Sequence, residues 1–153
     1  MDGYTLLKFV HVLSAIIAIG FNASYGFWLG RAGSDERVLS YALSTLRVVD
    51  NVANAFYGLL LVTGLAMVFV GGLDLRIFWI GAGLTLYVLA VIVGVVAYRP
   101  VLARQRAALA SAGPNSTEFQ AASSRGRALG IATAVIVVII VFLMVTKPTP
   151  FVL

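Results

Sequence analysis

Residues 128–146 have the sequence ALGIATAVIVVIIVFLMVT, a run without Lys, Arg, Asp or Glu. At a rise of 1.5 Å per residue, a helix of this length crosses the roughly 30 Å hydrocarbon core of a bilayer. Three further runs free of these four residue types precede it, at 9–30, 51–73 and 77–98. The pattern therefore predicts four membrane-spanning helices.

The composition supports the same interpretation. The 153 residues are 61% hydrophobic and 11% charged, with a mean hydropathy of +1.00, whereas soluble domains contain about 25% charged residues. A single core of this size cannot bury so much apolar surface. The composition excludes an ordinary soluble globular protein and makes the lipid bilayer the expected partner.

We predict an all-α fold, a polytopic membrane four-helix bundle that forms one transmembrane domain over residues 1–153. The spans are expected at about 6–30, 51–72, 77–98 and 128–147, with cytoplasmic helical extensions at about 34–50 and 99–127. Helices two, three and four then project beyond the membrane.

Single residues predict where the extensions begin and bend. Ser34 is a suitable N-cap for the first extension, and the spacing of Thr117 to Gln120 fits a capping box. The Arg99-Pro100 step predicts either a kink or a true break in the third helix.

The distribution of basic residues predicts the orientation. With four spans, three basic residues fall on the side of the termini: Lys8, Arg76 and Lys147. Eight fall on the opposite side: Arg31, Arg37, Arg47, Arg99, Arg104, Arg106, Arg125 and Arg127. The positive-inside rule makes the arginine-rich side cytoplasmic and both termini extracytoplasmic. We interpret the net charge of +5 as a topology determinant that contacts anionic head groups, and no nucleic-acid partner is expected.

Residue counts exclude several kinds of chemistry. The chain has no cysteine and one histidine, which excludes disulfides, thiolate nucleophiles, iron–sulfur clusters, cysteine-ligated zinc and histidine-rich metal sites. No nucleophile–base constellation and no phosphate-binding loop is present in the sequence. An enzymatic activity would therefore depend on a cofactor.

Polar residues inside spans are costly and are the candidates for function. Lys8 and His11 share a face of the first helix near its outer end. Met67 and Met144 each lie about one turn from the outer end of their own helix, and a His–Met pair is a known axial ligand set for haem iron. Each has a structural alternative: Lys8 can snorkel to head groups, His11 can bond a neighbouring helix, and methionines can fill core space.

A second group lies toward the cytoplasmic side: Asn22, Tyr25, Asp50, Asn51 and Asn54. Its structural interpretation is an Arg47–Asp50 ion pair with amide hydrogen bonds between helices. The alternative is a polar face, formed by Asn22, Tyr25, Asp50 and Asn54, that admits a small polar substrate or a proton.

Both ends of the chain resemble a known family. The segments LKFVHVLSA at 7–15 and LMVTKP at 143–148 resemble an uncharacterised bacterial family of four-span integral membrane proteins, domain of unknown function 2269. This resemblance implies a multi-pass protein of the bacterial plasma membrane. The Lys-x-x-His pattern is also similar, more distantly, to the copper-resistance protein D and haem-binding protoporphyrinogen oxidase membrane families. The oxidase resemblance implies a haem role for Lys8 and His11, and the single histidine excludes bis-histidine ligation.

Three functional hypotheses remain open. In the first, the protein binds a haem-like cofactor through His11, with Lys8 near a propionate, for redox or haem handling. In the second, it is a transporter or channel component that uses the inner polar face and requires a homo-oligomer. In the third, it is a structural or assembly factor within a membrane complex, and its polar residues only hold the helices together.

Overall fold

A computed structural model describes residues 2–149 and consists of helices joined by short turns. The elements in chain order are α1 (Gly3–Ala32), α2 (Glu36–Val70), α3 (Phe78–Ile92), a π-helical segment (Val93–Tyr98), α4 (Arg99–Ala112) and α5 (Thr117–Thr146). Because α3, the π-helical segment and α4 are continuous, residues 2–149 form four long helices, each long and apolar enough to cross a membrane.

The predicted all-α, four-helix architecture is confirmed. No strand occurs between residues 2 and 149. Large apolar side chains cover the outside of the bundle, including Phe69 at 77% exposure, Val145 at 75% and Phe142 at 59%. Such a surface is stable in contact with lipid and not with water. The protein is therefore an integral membrane protein, and its orientation in the bilayer stays a prediction.

The bundle consists of two helical hairpins. In the first, α1 packs against α2 along its length; in the second, α3 and α4 pack against α5. Fewer contacts join the hairpins, between α1 and α5 and between α2 and α4. At the arginine-rich end the hairpins share a small core, in which Leu39 and Leu43 of the first lie with Leu109 and Phe119 of the second. The helices therefore extend past the charge-free segments because this core holds the extensions together.

At the end of the bundle opposite to the arginine-rich end, α2 stops in a hydrogen-bonded turn. The Gly71 N–H donates to the Met67 carbonyl at 2.9 Å, and Leu73 N–H donates to Val68 O at 2.9 Å. Gly72 has φ of +60°, a left-handed conformation that favours glycine. This turn brings the chain back within a few residues to start α3.

Two predicted helix caps are displaced by one residue. Asp35, not Ser34, caps α2: its Oδ1 accepts from Arg37 N–H at 2.9 Å and Val38 N–H at 3.1 Å. A carboxylate can accept both bonds and is also favoured by the helix dipole. Ser116 caps α5 through Phe119 N–H at 3.2 Å, and Gln120 donates to Pro114 O instead of closing a capping box.

Pro100 neither ends the third helix nor breaks the membrane segment. It lies in the first turn of α4, directly after the π-helical segment, where Arg99 N–H donates to the Gly94 carbonyl. Proline removes one main-chain donor and crowds the preceding turn. The wider π-helical turn accommodates this crowding, so the helix continues to Ala112.

Candidate functional site

The His11 side chain of α1 lies against the backbone of α2. Its Nδ1 is 3.0 Å from the Leu60 main-chain oxygen and 3.1 Å from Thr63 Oγ1. Because a carbonyl oxygen can only accept, Nδ1 of the neutral ring has the proton and donates it. Thr63 donates its own hydroxyl proton to Leu59 O at 2.7 Å and keeps a lone pair for His11. The lone pair of the imidazole is therefore on Nε2.

Gly64 makes room for this ring. A β-carbon at position 64 would lie 2.9 Å from His11 Cε1 and 3.4 Å from Nδ1, closer than ordinary packing allows. The ring thus occupies the space that a side chain on α2 would need. His11 is half-buried as a result, with its position fixed by two polar contacts and one steric contact.

The other residues of the predicted outer site are distributed over both hairpins. Lys8 is exposed one turn above His11. Met67 is half-buried on α2. Along the helix it lies between Thr63, which contacts His11, and Gly71, which lies close to Tyr4 at the outer end. Met144 packs its methyl group onto Gly83 of α3, so it lies in the second hairpin. Ligation by either methionine stays a prediction.

The inner polar residues form a network around Asp50. Oδ1 of Asp50 accepts from the Tyr25 hydroxyl at 3.2 Å, and Oδ2 accepts from Asn54 Nδ2 at 3.1 Å. Arg99 of α4 approaches the same Oδ2 at 3.9 Å. Donors from α1, α2 and α4 therefore converge on one carboxylate.

The predicted Arg47–Asp50 pair is wrong. Arg47 is exposed, and the ion pair recorded for Asp50 in the described part of the chain is with Arg99. The carboxylate lies against α1, where Tyr25 is 5% exposed, and α4 approaches from the other hairpin. Asp50 and Arg99 each flank a charge-free segment, which puts both at a similar depth in the membrane. This similar depth is the feature of the sequence that could have indicated the pair.

Asn22 has an unsatisfied acceptor within the same region. Its Nδ2 donates to the Tyr57 hydroxyl at 2.8 Å, while its Oδ1 is buried without a hydrogen-bond partner. The Tyr57 carbonyl in turn accepts from the Tyr87 hydroxyl of α3 at 2.9 Å. An unpaired buried acceptor costs stability, roughly 1–3 kcal/mol.

Sequence analysis missed Leu60 and Thr63 as partners of His11, Tyr57 as the partner of Asn22, and Tyr87 as the partner of Tyr57. Two of them contribute main-chain oxygens, which no side-chain pattern indicates. Among residues 2–149 no group of three or more His, Asp or Glu residues is placed to hold a metal ion. A metal at this site would need a cofactor to supply most of its ligands.

Comparison with known proteins gives a family and no activity. The model of the family described as predicted integral membrane protein (DUF2269) matches residues 5–148. No curated protein matches the chain, and no solved structure matches it.

Proposed function

The chain belongs to the DUF2269 family of predicted integral membrane proteins, and we propose that it binds a haem-like cofactor through Nε2 of His11. The supporting observation is the bond from Nδ1 to the Leu60 carbonyl at 3.0 Å. Histidines that bind metal commonly donate their other ring nitrogen to a carbonyl or carboxylate, which fixes the ring and leaves one lone pair for the metal.

The neighbouring residues suit such a cofactor. The ammonium of Lys8, exposed one turn from His11, can bind a propionate near the head groups. Met67 belongs to the same hairpin as His11 and is the methionine that would help to hold the cofactor. A bound haem would supply one-electron chemistry, and the protein would orient it and shield it from water.

We place this protein in the plasma membrane, with both termini outside the cytoplasm. The support is the excess of arginine on the opposite side. His11 would then lie in the outer leaflet, where a cofactor could exchange electrons or haem with extracytoplasmic partners.

The visible absorption spectrum tests the haem proposal. The protein is purified in mild detergent from haem-replete cells, beside His11→Ala and the matched variant Asn54→Ala, which changes a polar residue of the inner network. We expect a Soret band that shifts on reduction, is absent in His11→Ala, returns with added imidazole and persists in Asn54→Ala. Circular dichroism checks that helical content is retained.

Two outcomes would overturn the proposal. A wild-type protein that stays colourless after haem supplementation has no such site. A His11→Ala variant that keeps the full Soret band binds haem elsewhere. Either result leaves His11 as a contact between α1 and α2, the role expected of a structural or assembly factor.

A second candidate function is transport of a proton or small polar solute by an oligomer. The buried, unpartnered Oδ1 of Asn22 and the network that links Tyr25, Asp50 and Arg99 across the hairpins favour it. Proton or solute flux into liposomes that contain the purified protein tests this candidate, with an Asp50→Asn variant expected to abolish the flux.

A further inference from the structure

A groove runs along the surface between α4 and the first half of α5. It consists of two adjoining cavities of about 570 and 450 Å³, a size that accommodates a small ligand. Both cavities are lined by Val101, Arg104 and Arg125. Alanines form much of the remaining wall, and their small side chains leave the groove open where larger side chains would fill it.

Two arginines face this groove from opposite helices. Arg104 belongs to α4 and Arg125 to α5, and each lines both cavities where they meet. Within residues 2–149 the recorded salt bridge joins Arg99 to Asp50, so no carboxylate neutralises the groove arginines. Glu118 is the acidic residue of the wall. At a rise of 1.5 Å per residue, its position on α5 is about 10 Å along the helix axis from that of Arg125. Two guanidinium groups beside one cavity attract an anion.

The groove lies at the boundary of the hydrocarbon region. Arg125 precedes by three residues the charge-free segment that starts at Ala128. From the arginines the second cavity continues along Val96, Ala97 and Leu129, residues within or next to the spans. The middle of the groove is therefore cationic and at head-group depth, and the end at Val96, Ala97 and Leu129 is apolar and at acyl-chain depth. The other end, at Ser111, Ala112 and Glu118, lies farther from the spans.

We propose that this groove binds an anionic phospholipid. The phosphate lies between Arg104 and Arg125, and one acyl chain follows the apolar wall formed by Val96, Ala97 and Leu129. Arginine suits this role because its planar fork can bind two phosphate oxygens at once. The site is separate from His11 and does not depend on the proposed cofactor.

Native mass spectrometry of the full chain from nanodiscs tests this proposal, with phosphatidylglycerol and phosphatidylcholine present in equal amounts. We expect the wild type to retain phosphatidylglycerol in preference to phosphatidylcholine. The double variant Arg104→Gln/Arg125→Gln is expected to lose that preference by about tenfold. The matched control Arg31→Gln/Arg37→Gln removes the same charge from exposed positions of the first hairpin and is expected to keep it.

A second variant tests the apolar half of the groove without changing charge. Ala128→Phe adds bulk to the wall and is expected to weaken phosphatidylglycerol retention although both arginines remain. Equal losses in the Arg31/Arg37 control, or full retention in Ala128→Phe, would show general surface attraction and overturn the proposal. A complex of two chains without lipid would assign the groove to a second copy and overturn it equally.

Discussion

Nδ1 of His11 lies 3.0 Å from the main-chain oxygen of Leu60, so a side chain of α1 is hydrogen-bonded to the backbone of α2 inside the membrane. The hydrophobic effect adds little to helix association there, because lipid is equally apolar, and van der Waals packing and hydrogen bonds between helices take its place. A polar bond that fixes two helices therefore contributes to stability, apart from the cofactor binding that we propose for His11. Tests of His11 therefore measure stability beside the absorption spectrum.

Gly64→Ala displaces the His11 ring without changing His11 itself. The new β-carbon would lie 2.9 Å from His11 Cε1, which forces the ring away from Leu60 and Thr63. We expect destabilisation of about 1–3 kcal/mol from overpacking and loss of any His11-dependent Soret band. Thermal unfolding and absorption in the same detergent measure both quantities.

Gly58→Ala is the matched control on the same helix. A β-carbon at position 58 meets nothing within 4 Å, and alanine has the higher helix propensity. This variant is expected to leave both the spectrum and the melting temperature within error of the wild type or slightly above it. If Gly64→Ala behaves like Gly58→Ala, the ring does not lie where the structure has it.

The contacts of Asp50 are expected to differ in strength. The Tyr25 hydroxyl is buried and bonds a carboxylate oxygen, and a hydrogen bond to a charged group contributes about 1.5–3 kcal/mol. The Arg99 side chain is 51% exposed and 3.9 Å away, so its ion pair contributes about 0.2–1 kcal/mol. Tyr25→Phe should therefore lower the melting temperature more than Arg99→Gln does.

A double-mutant cycle with Asp50→Asn measures each coupling directly. The Tyr25–Asp50 coupling is expected to exceed the Arg99–Asp50 coupling, and added salt should weaken only the latter, because it is the exposed pair. The reverse order would contradict the ranking expected from the geometry, in which the exposed ion pair at 3.9 Å is the weaker contact.

The fold was largely predictable because the membrane imposes it. Charge-free segments such as 77–98 have few alternatives to a spanning helix, since an unpaired backbone is too costly in lipid. The π-helical turn before Pro100 was not predictable, because the Arg99-Pro100 sequence is compatible with a kinked helix and with a broken one. The cap at Asp35 differed from the expected Ser34 by one residue, a usual error for helix boundaries.

The site was predictable in its residues and not in its partners. A polar side chain in the membrane has a high free-energy cost, and this marked His11, Asn22, Asp50 and their neighbours as candidates for function. Helical periodicity assigns residues to a face, but it does not say which helix lies opposite. The Leu60 carbonyl and Arg99 come from such opposite helices, so only the three-dimensional arrangement identifies them.

Asn22→Leu tests whether the unpaired Oδ1 has a function. Leucine has nearly the same shape and removes both the orphan acceptor and the bond to Tyr57. If the asparagine only packs α1 against α2, flux is expected to stay unchanged, while stability falls by the cost of the unpaired Tyr57 hydroxyl, about 1–3 kcal/mol. If it binds a solute or proton donor, flux is expected to fall as well.

The double variant Asn22→Leu/Tyr57→Phe controls for the hydroxyl that Asn22→Leu leaves unpaired. It should recover any stability that the single variant loses. Recovery of flux together with stability would contradict a direct role for Asn22, because the variant restores packing and not the acceptor.

The orientation can be tested by cysteine labelling, since the chain has no native cysteine. Asp74 lies in the turn between α2 and α3, and Asn115 in the turn between α4 and α5; both are exposed. The arginine excess predicts that Asp74→Cys reacts with a membrane-impermeant maleimide in intact cells, and that Asn115→Cys reacts only after permeabilisation. The opposite pattern would put His11 in the cytoplasmic leaflet and the groove between α4 and α5 in the outer one. Labelling of both variants in intact cells would indicate a mixed orientation and contradict a single topology.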